Sequence, residues 1–111
     1  MNRFTALGLA HEAAKGKRIL VLTATQRAAR EALDDFDRLN HAPSRVCRVN
    51  GAERIDYQTG GRIDFRSTGS TGCRGMTADT LYLDVDVDRD DRWRDGIPCI
   101  ASAPHGEVVQ A

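Results

Sequence analysis

The chain predicts an α/β domain with a small, mostly parallel sheet flanked by helices, and three observations predict it. Ile19-Leu20-Val21-Leu22 is a short, unbroken apolar run of the kind that fills a strand buried on both faces. Two stretches with helical spacing bracket that run, Asn2 to Lys15 before it and Gln26 to Leu39 after it. Two nearly identical tetrapeptides, Arg54-Ile55-Asp56-Tyr57 and Arg62-Ile63-Asp64-Phe65, then follow around a Gly-Gly pair and read as an antiparallel hairpin.

The elements follow in order. Phe4, Leu7, His11 and Ala14 form one stripe of the first helix, with Ala6, Ala10 and Ala13 beside it. Gly16 is its stop, and Lys15, Lys17 and Arg18 stand at the negative end of the helix. Thr23-Ala24-Thr25 ends the first strand. The second helix presents Ala29, Ala32, Leu33, Phe36 and Leu39 on one face and Arg27, Arg30, Asp34, Asp37 and Arg38 on the other, a clear amphipathic pattern. Pro43 closes that unit. Arg45 to Asn50 alternates as a strand, and Asn50-Gly51 is a turn signal. In the hairpin, Ile55 opposite Phe65 and Tyr57 opposite Ile63 keeps apolar side chains on one face, leaving Thr59-Gly60-Gly61 as the loop. Ser67 to Thr77 is a polar, glycine-rich loop. Thr80 to Asp84 is a strand continuing to Asp88, and Ile97 to Ala101 is the last one, ended by Ser102-Ala103-Pro104.

Composition narrows the function classes. The 111 residues fit one domain, residues 1–111, with 41% hydrophobic and 29% charged residues, which is a soluble globular profile. No apolar run reaches the roughly 18 residues of a membrane helix, and no signal peptide opens the chain, so no membrane partner is expected. Sixteen basic residues balance sixteen acidic ones, but unevenly. The front of the chain is basic, while Asp79 to Asp95 carries seven Asp against three Arg. The only lysines are Lys15 and Lys17. Cys47, Cys73 and Cys99 form no close pair, which argues against a disulfide framework or a zinc site and for a reducing, cytoplasmic setting.

Three features occur in a telling order: an apolar strand ending in Thr23-Ala24-Thr25; the hairpin with Arg74-Gly75-Met76-Thr77-Ala78-Asp79 and Leu81-Tyr82-Leu83-Asp84; and an apolar strand ending in Ser102-Ala103-Pro104. From Phe4 to Pro104 this order resembles the ATPase core of phage terminase large subunits and, more distantly, RecA-like helicases. The resemblance implies a P-loop-NTPase-like core with an inserted antiparallel hairpin, a Walker B strand ending at Asp84, and the cytoplasm of an infected host as location.

The departures from that pattern define the functional expectation. A phosphate loop needs Gly-rich backbone, a Lys and a Ser or Thr for Mg²⁺. Gly16-Lys17-Arg18 ends a helix and lacks the hydroxyl, and the chain starts at the helix that should follow the loop. Val85 stands where the family places the catalytic Glu, so nothing there orients water. The expectation is a truncated, degenerate core with no catalytic residues and no cofactor. Mg-nucleotide would bind only if a partner supplied the phosphate loop. Such a protein works by self-association, by binding a partner protein, or by binding nucleic acid. Its alternatives are a composite ATPase of a DNA-packaging or helicase machine and a purely structural assembly module.

Candidate contacts follow. Asp84 and Asp86 project to one side of a strand and are the metal candidates, against a plain solvated acidic strand end. Arg66, Ser70, Thr71 and Arg74 are the phosphate or nucleic-acid candidates in and beside the glycine-rich loop. Arg45, Arg48, Arg54, Arg62 and Arg66 could form a positive face for DNA, unless Asp56 and Asp64 neutralise it. Ile97, Cys99 and Ile100 belong to the strand that loss of the phosphate-loop strand would expose as a sheet edge. That edge is the expected docking site for a second copy or a partner.

Overall fold

The computed structural model describes residues 3–39, 45–67, 78–84 and 107–110. Their order is α1 (Arg3–Ala14), β1 (Arg18–Thr23), α2 (Gln26–Asp37), β2 (Arg45–Cys47), β3 (Arg54–Asp56), β4 (Arg62–Ser67), β5 (Thr80–Leu83) and β6 (Glu107–Gln110). They build one six-stranded sheet in the order β2-β3-β4-β1-β5-β6. The pairs β1–β4, β1–β5 and β5–β6 are parallel, and β2–β3 and β3–β4 are antiparallel. This is the expected α/β architecture with a mostly parallel sheet. The hairpin is not an appendage, because its second strand β4 is the parallel neighbour of β1.

The apolar run of β1 is buried throughout, as its composition predicts: Ile19, Leu20, Val21 and Leu22 are at most 1% exposed. Alternate residues serve opposite faces. Ile19 and Val21 join Ile63, Phe65, Ile55 and Tyr82 against both helices. Leu20 and Leu22 point the other way, register with Leu81 and Leu83, and are buried there. In α2 the predicted face holds: Ala29, Ala32, Leu33 and Phe36 are core, Leu39 packs against it, and the Phe36 ring meets Phe65 edge-on at 5.3 Å. Thr25 is the N-cap of α2, its hydroxyl accepting from the Ala28 N–H at 3.1 Å.

The first helix corrects the expectation. Its core stripe is Ala6, Leu9, Ala10 and Ala13, whereas Phe4 is 81% exposed, His11 and Ala14 are exposed and Leu7 is half-buried. The reason is spacing. At its C-terminal end α1 lies so close to the hairpin that a Cβ on Gly61 would fall 1.8 Å from the Ala13 carbonyl oxygen. A stripe of small residues permits that approach, and a stripe led by Phe and Leu does not.

The hairpin register is also corrected. Ile55 faces Ile63, Arg54 faces Asp64 and Asp56 faces Arg62. The expected pairing of Ile55 with Phe65 satisfies apolar parity equally well, but it sets Asp56 opposite Asp64 and Arg54 opposite Arg66. Like charges directly opposite are destabilising, whereas opposite charges stabilise the ladder. The repeated Arg-Ile-Asp, paired antiparallel with itself, sets each charged residue opposite one of the other sign. The loop is three residues long, as expected, but one position earlier: Tyr57 N–H donates to Gly61 O at 2.9 Å and Gly60 N–H to Tyr57 O at 3.1 Å. Gly60 takes the positive φ of 92° that closes such a loop.

β5 lies between β1 and Glu107–Gln110, parallel to both. Residues 97–101 lie outside the described residues, and so do Ser67–Thr77 beyond its first residue and the Val85–Asp88 continuation. Among the described residues no helix is long and apolar enough to cross a membrane.

Candidate functional site

In an open parallel sheet, ligands meet the chain at the C-terminal ends of the strands. Here those ends are Thr23 on β1, Ser67 on β4 and Leu83-Asp84 on β5, with the start of α2 beside them. Thr23 is fully buried, and its hydroxyl serves both the Thr25 carbonyl at 2.9 Å and the Arg66 carbonyl at 3.2 Å. This ties the end of β1 to the start of α2 and to the end of β4. Asp84 is half-buried just past β5, its N–H donating to Leu22 O at 3.0 Å. The Tyr82 phenol is pushed up by its own burial first and by the nearby Asp84 charge second.

Arg66 does not fill its expected role. It is 7% exposed, and its Nη1 donates to the carbonyl oxygens of Glu53 and Phe65, both at 2.8 Å. A guanidinium committed to main-chain carbonyls inside the protein is not presented to a phosphate. Ser70, Thr71 and Arg74, its companions in that expectation, lie outside the described residues, as do Asp86, Ile97, Cys99 and Ile100. Asp84 is therefore the one metal candidate that is described. Among the described residues no group of three His, Cys, Asp or Glu side chains is arranged to hold a metal ion.

The hairpin arginines are neutralised in place. Arg54 Nε lies 3.1 Å from Asp56 Oδ2, and Arg62 Nε lies 2.9 Å from Asp64 Oδ2. Arg48 bridges Asp34 at 2.5 Å and Asp37 at 2.6 Å on α2. Asp64 is 3% exposed, and its burial pushes its carboxyl above the usual carboxylate range against the pull of Arg62, Arg66 and Arg54. Of the five arginines considered for a DNA-binding face, only Arg45, exposed on the edge strand β2, has no ion pair among the described residues.

At the other end of the sheet, the acid of the Arg-Gly-x-Thr-x-Asp segment has a structural task. Asp79 Oδ2 accepts from Arg18 N–H at 2.9 Å and Nε at 3.3 Å, and Oδ1 accepts from Nη2 at 3.2 Å. Asp79 N–H returns a bond to Arg18 O at 2.7 Å. The side-chain bond from Arg18 is the main reason the Asp79 carboxyl is held below its usual range. This clamp locks the starts of β1 and β5 together. Lys15 and Lys17 sit at this same N-terminal end, separated from Asp84 by the whole length of β1, roughly 20 Å.

Sequence reasoning missed a buried polar knot near the start of α2. Glu53 is fully buried directly after the turn at Val49–Ala52, and its Oε2 accepts from Gln26 Nε2, which also reaches Asn50 Oδ1 at 3.2 Å. The Glu53 carbonyl takes the Phe65 N–H at 3.1 Å as well as Arg66 Nη1. A glutamate in a polar turn carries no periodic signal of burial, so nothing in the sequence marked it.

Known proteins place this geometry. No family model matches the chain, and no curated protein matches it. Solved structures do match. The large terminase of a thermophilic bacteriophage, in complex with ADP, superposes with a TM-score of 0.62 at 14% identity, covering 98% of this chain and 29% of that one. A second structure of the same terminase in the same crystal form gives 0.62 at 14%, covering 98% and 28%. A different crystal form gives 0.61 at 13%, covering 98% and 29%. This chain thus spans less than a third of the terminase's length, and at such identity the likeness concerns the fold. The chain shares the α/β fold of that large terminase.

Proposed function

We propose that this chain is a phage-type accessory protein related to DNA packaging, which works by binding and does not hydrolyse nucleotide on its own. The observation that carries the reading is the position of its lysines. A phosphate-binding lysine must reach the C-terminal ends of the strands, where Asp84 stands. Lys15 and Lys17 are the only lysines in the 111 residues, and both lie at the opposite end, one just after α1 and one just before β1. Val85 directly after Asp84 offers no carboxylate to orient a water.

Protein contact is favoured over nucleic acid, because the arginines of the hairpin are held in ion pairs or buried on carbonyls. The contact is assigned to a sheet edge, where backbone N–H and C=O groups can accept a further strand. β6 and β2 are the two outer strands among those described. The occupant is a second copy or a partner protein.

A second reading rests on Asp84, a carboxylate at the end of a central strand in a fold shared with an ADP-bound terminase. In that reading another polypeptide supplies the phosphate loop and Asp84 holds the Mg²⁺ of a composite ATPase.

Two assays separate these readings. ATP turnover by the purified chain is expected to equal the blank, and turnover above it overturns the non-catalytic reading. Light scattering at tens of micromolar is expected to show association, and a monomer there removes the self-association version.

A further inference from the structure

We propose that Asn50-Gly51, in the turn between β2 and β3, is a site of spontaneous covalent modification, where the asparagine converts to aspartate and isoaspartate through a cyclic imide. The chemistry needs an asparagine whose side-chain carbonyl carbon can be reached by the main-chain nitrogen of the next residue. A side chain on that next residue hinders the approach, and glycine has none. The chain has three asparagines, and only Asn50 precedes a glycine; Asn2 precedes Arg3, and Asn40 precedes His41.

The fold leaves this pair open. Asn50 and Gly51 are exposed, as are Val49 before them and Ala52 after them. They are the two central residues of a turn closed by the Ala52 N–H on Val49 O at 2.8 Å, and Gly51 takes a φ of 84°. Nothing lies within 4 Å of where a Cβ on Gly51 would stand, so the turn has room to swing the Gly51 nitrogen toward Asn50 Cγ. The Asn50 carboxamide is also polarised, because its Oδ1 accepts from Gln26 Nε2 at 3.2 Å. Gln26 is the first residue of α2, where the helix carries partial positive charge. That donor stabilises the negative charge that grows on Oδ1 during attack.

The conversion consumes only water. The Gly51 nitrogen gives its proton to solvent and bonds to Asn50 Cγ. The Cγ–Nδ2 bond breaks, and Nδ2 takes up a proton and leaves as ammonia. Water then opens the ring. Addition at Cγ restores the original main chain with an aspartate, whereas addition at the Asn50 main-chain carbonyl carbon routes the chain through the side chain as isoaspartate. Both products exchange a neutral amide for a carboxylate beside the start of α2. Isoaspartate also lengthens the main chain inside the turn, so the bond from Ala52 N–H to Val49 O no longer closes it.

The test is incubation of the folded protein at mildly alkaline pH and physiological temperature. Trypsin then cuts after Arg48 and Arg54, and mass spectrometry follows the Val49–Arg54 peptide. This peptide is expected to gain the mass of an amide-to-acid exchange and to separate into two products by reversed-phase chromatography. Peptides holding Asn2 and Asn40 are expected to stay unchanged. In Asn50→Gln the conversion is lost, because the longer side chain must close a larger ring. A Val49–Arg54 peptide that converts only after the protein is unfolded in urea would overturn the proposal, and so would conversion at Asn2 or Asn40 ahead of Asn50.

Discussion

Gly61→Ala is the substitution whose consequence is most directly written in the geometry. A Cβ at this position would stand 1.8 Å from Ala13 O, 2.8 Å from Ala13 C and 3.0 Å from Lys17 O. All three are main-chain atoms, so no side-chain rotation relieves the overlap, and the C-terminal end of α1 must lift from the hairpin. Overpacking typically costs about 1–3 kcal/mol, and a main-chain clash of this depth belongs at the upper end, about 3 kcal/mol. For a domain of about 100 residues that corresponds to a fall in Tm of roughly 12 °C. Two other glycines serve as controls. Gly60→Ala meets nothing within 4 Å but keeps a φ of 92°. Its cost is therefore only about 1 kcal/mol of backbone strain. Gly8→Ala, inside α1 with open space around it, stabilises by about 1 kcal/mol through helix propensity. Urea denaturation of the three variants gives the order directly, provided m is unchanged. A Gly61→Ala protein within about 0.5 kcal/mol of the parent would refute the close packing of α1 on the hairpin, since surface substitutions stay within that margin.

Further outcomes follow from the ion pairs. Asp56→Arg sets like charges opposite Arg62 and beside Arg54 and destabilises by up to about 1 kcal/mol, a loss that shrinks as salt rises, read by urea midpoint. Asp79 has its pKa lowered on folding, so its contribution is present above the unfolded carboxylate range and is lost as pH falls through the folded value. The stability gap between the parent and Asp79→Asn therefore narrows on acidification. Asp64 runs the other way: its folded pKa is raised, so the parent loses stability relative to Asp64→Asn as pH rises through that value. Lys17→Ala leaves any Mg-ATP affinity measured by calorimetry unchanged, because Lys17 lies at the end of the sheet remote from Asp84.

The sequence was legible where physical contrast was high. The β1 run, the amphipathic α2 and the Arg-Ile-Asp repeat each left a distinct periodic mark, and each element formed where the pattern put it. Alanine-rich α1 offers little contrast between its faces, so the larger Phe4 and Leu7 drew the assignment, although close approach selects Ala6, Ala10 and Ala13. Parity of apolar residues fixes the hairpin register only to within two positions; the choice among them is electrostatic, through Arg54 against Asp64. Glu107-Val108-Val109-Gln110 is only four residues long and polar at both ends, too short to carry a periodic signal, and its place beside β5 follows only from the assembled sheet. The apolar run before Asp84 puts it at a strand end, and it does lie just past β5. The Asp79 partner Arg18, 61 residues away, and the burial of Glu53 follow only from the assembled sheet.

The proposed inability of this chain to hydrolyse nucleotide by itself requires silence in a simple kinetic assay. The decisive experiment is steady-state ATP turnover by the purified chain with Mg²⁺, with and without duplex DNA. Phosphate release is expected to be indistinguishable from the protein-free blank under both conditions. Turnover that rises in proportion to protein concentration and disappears in Asp84→Ala would overturn the non-catalytic reading.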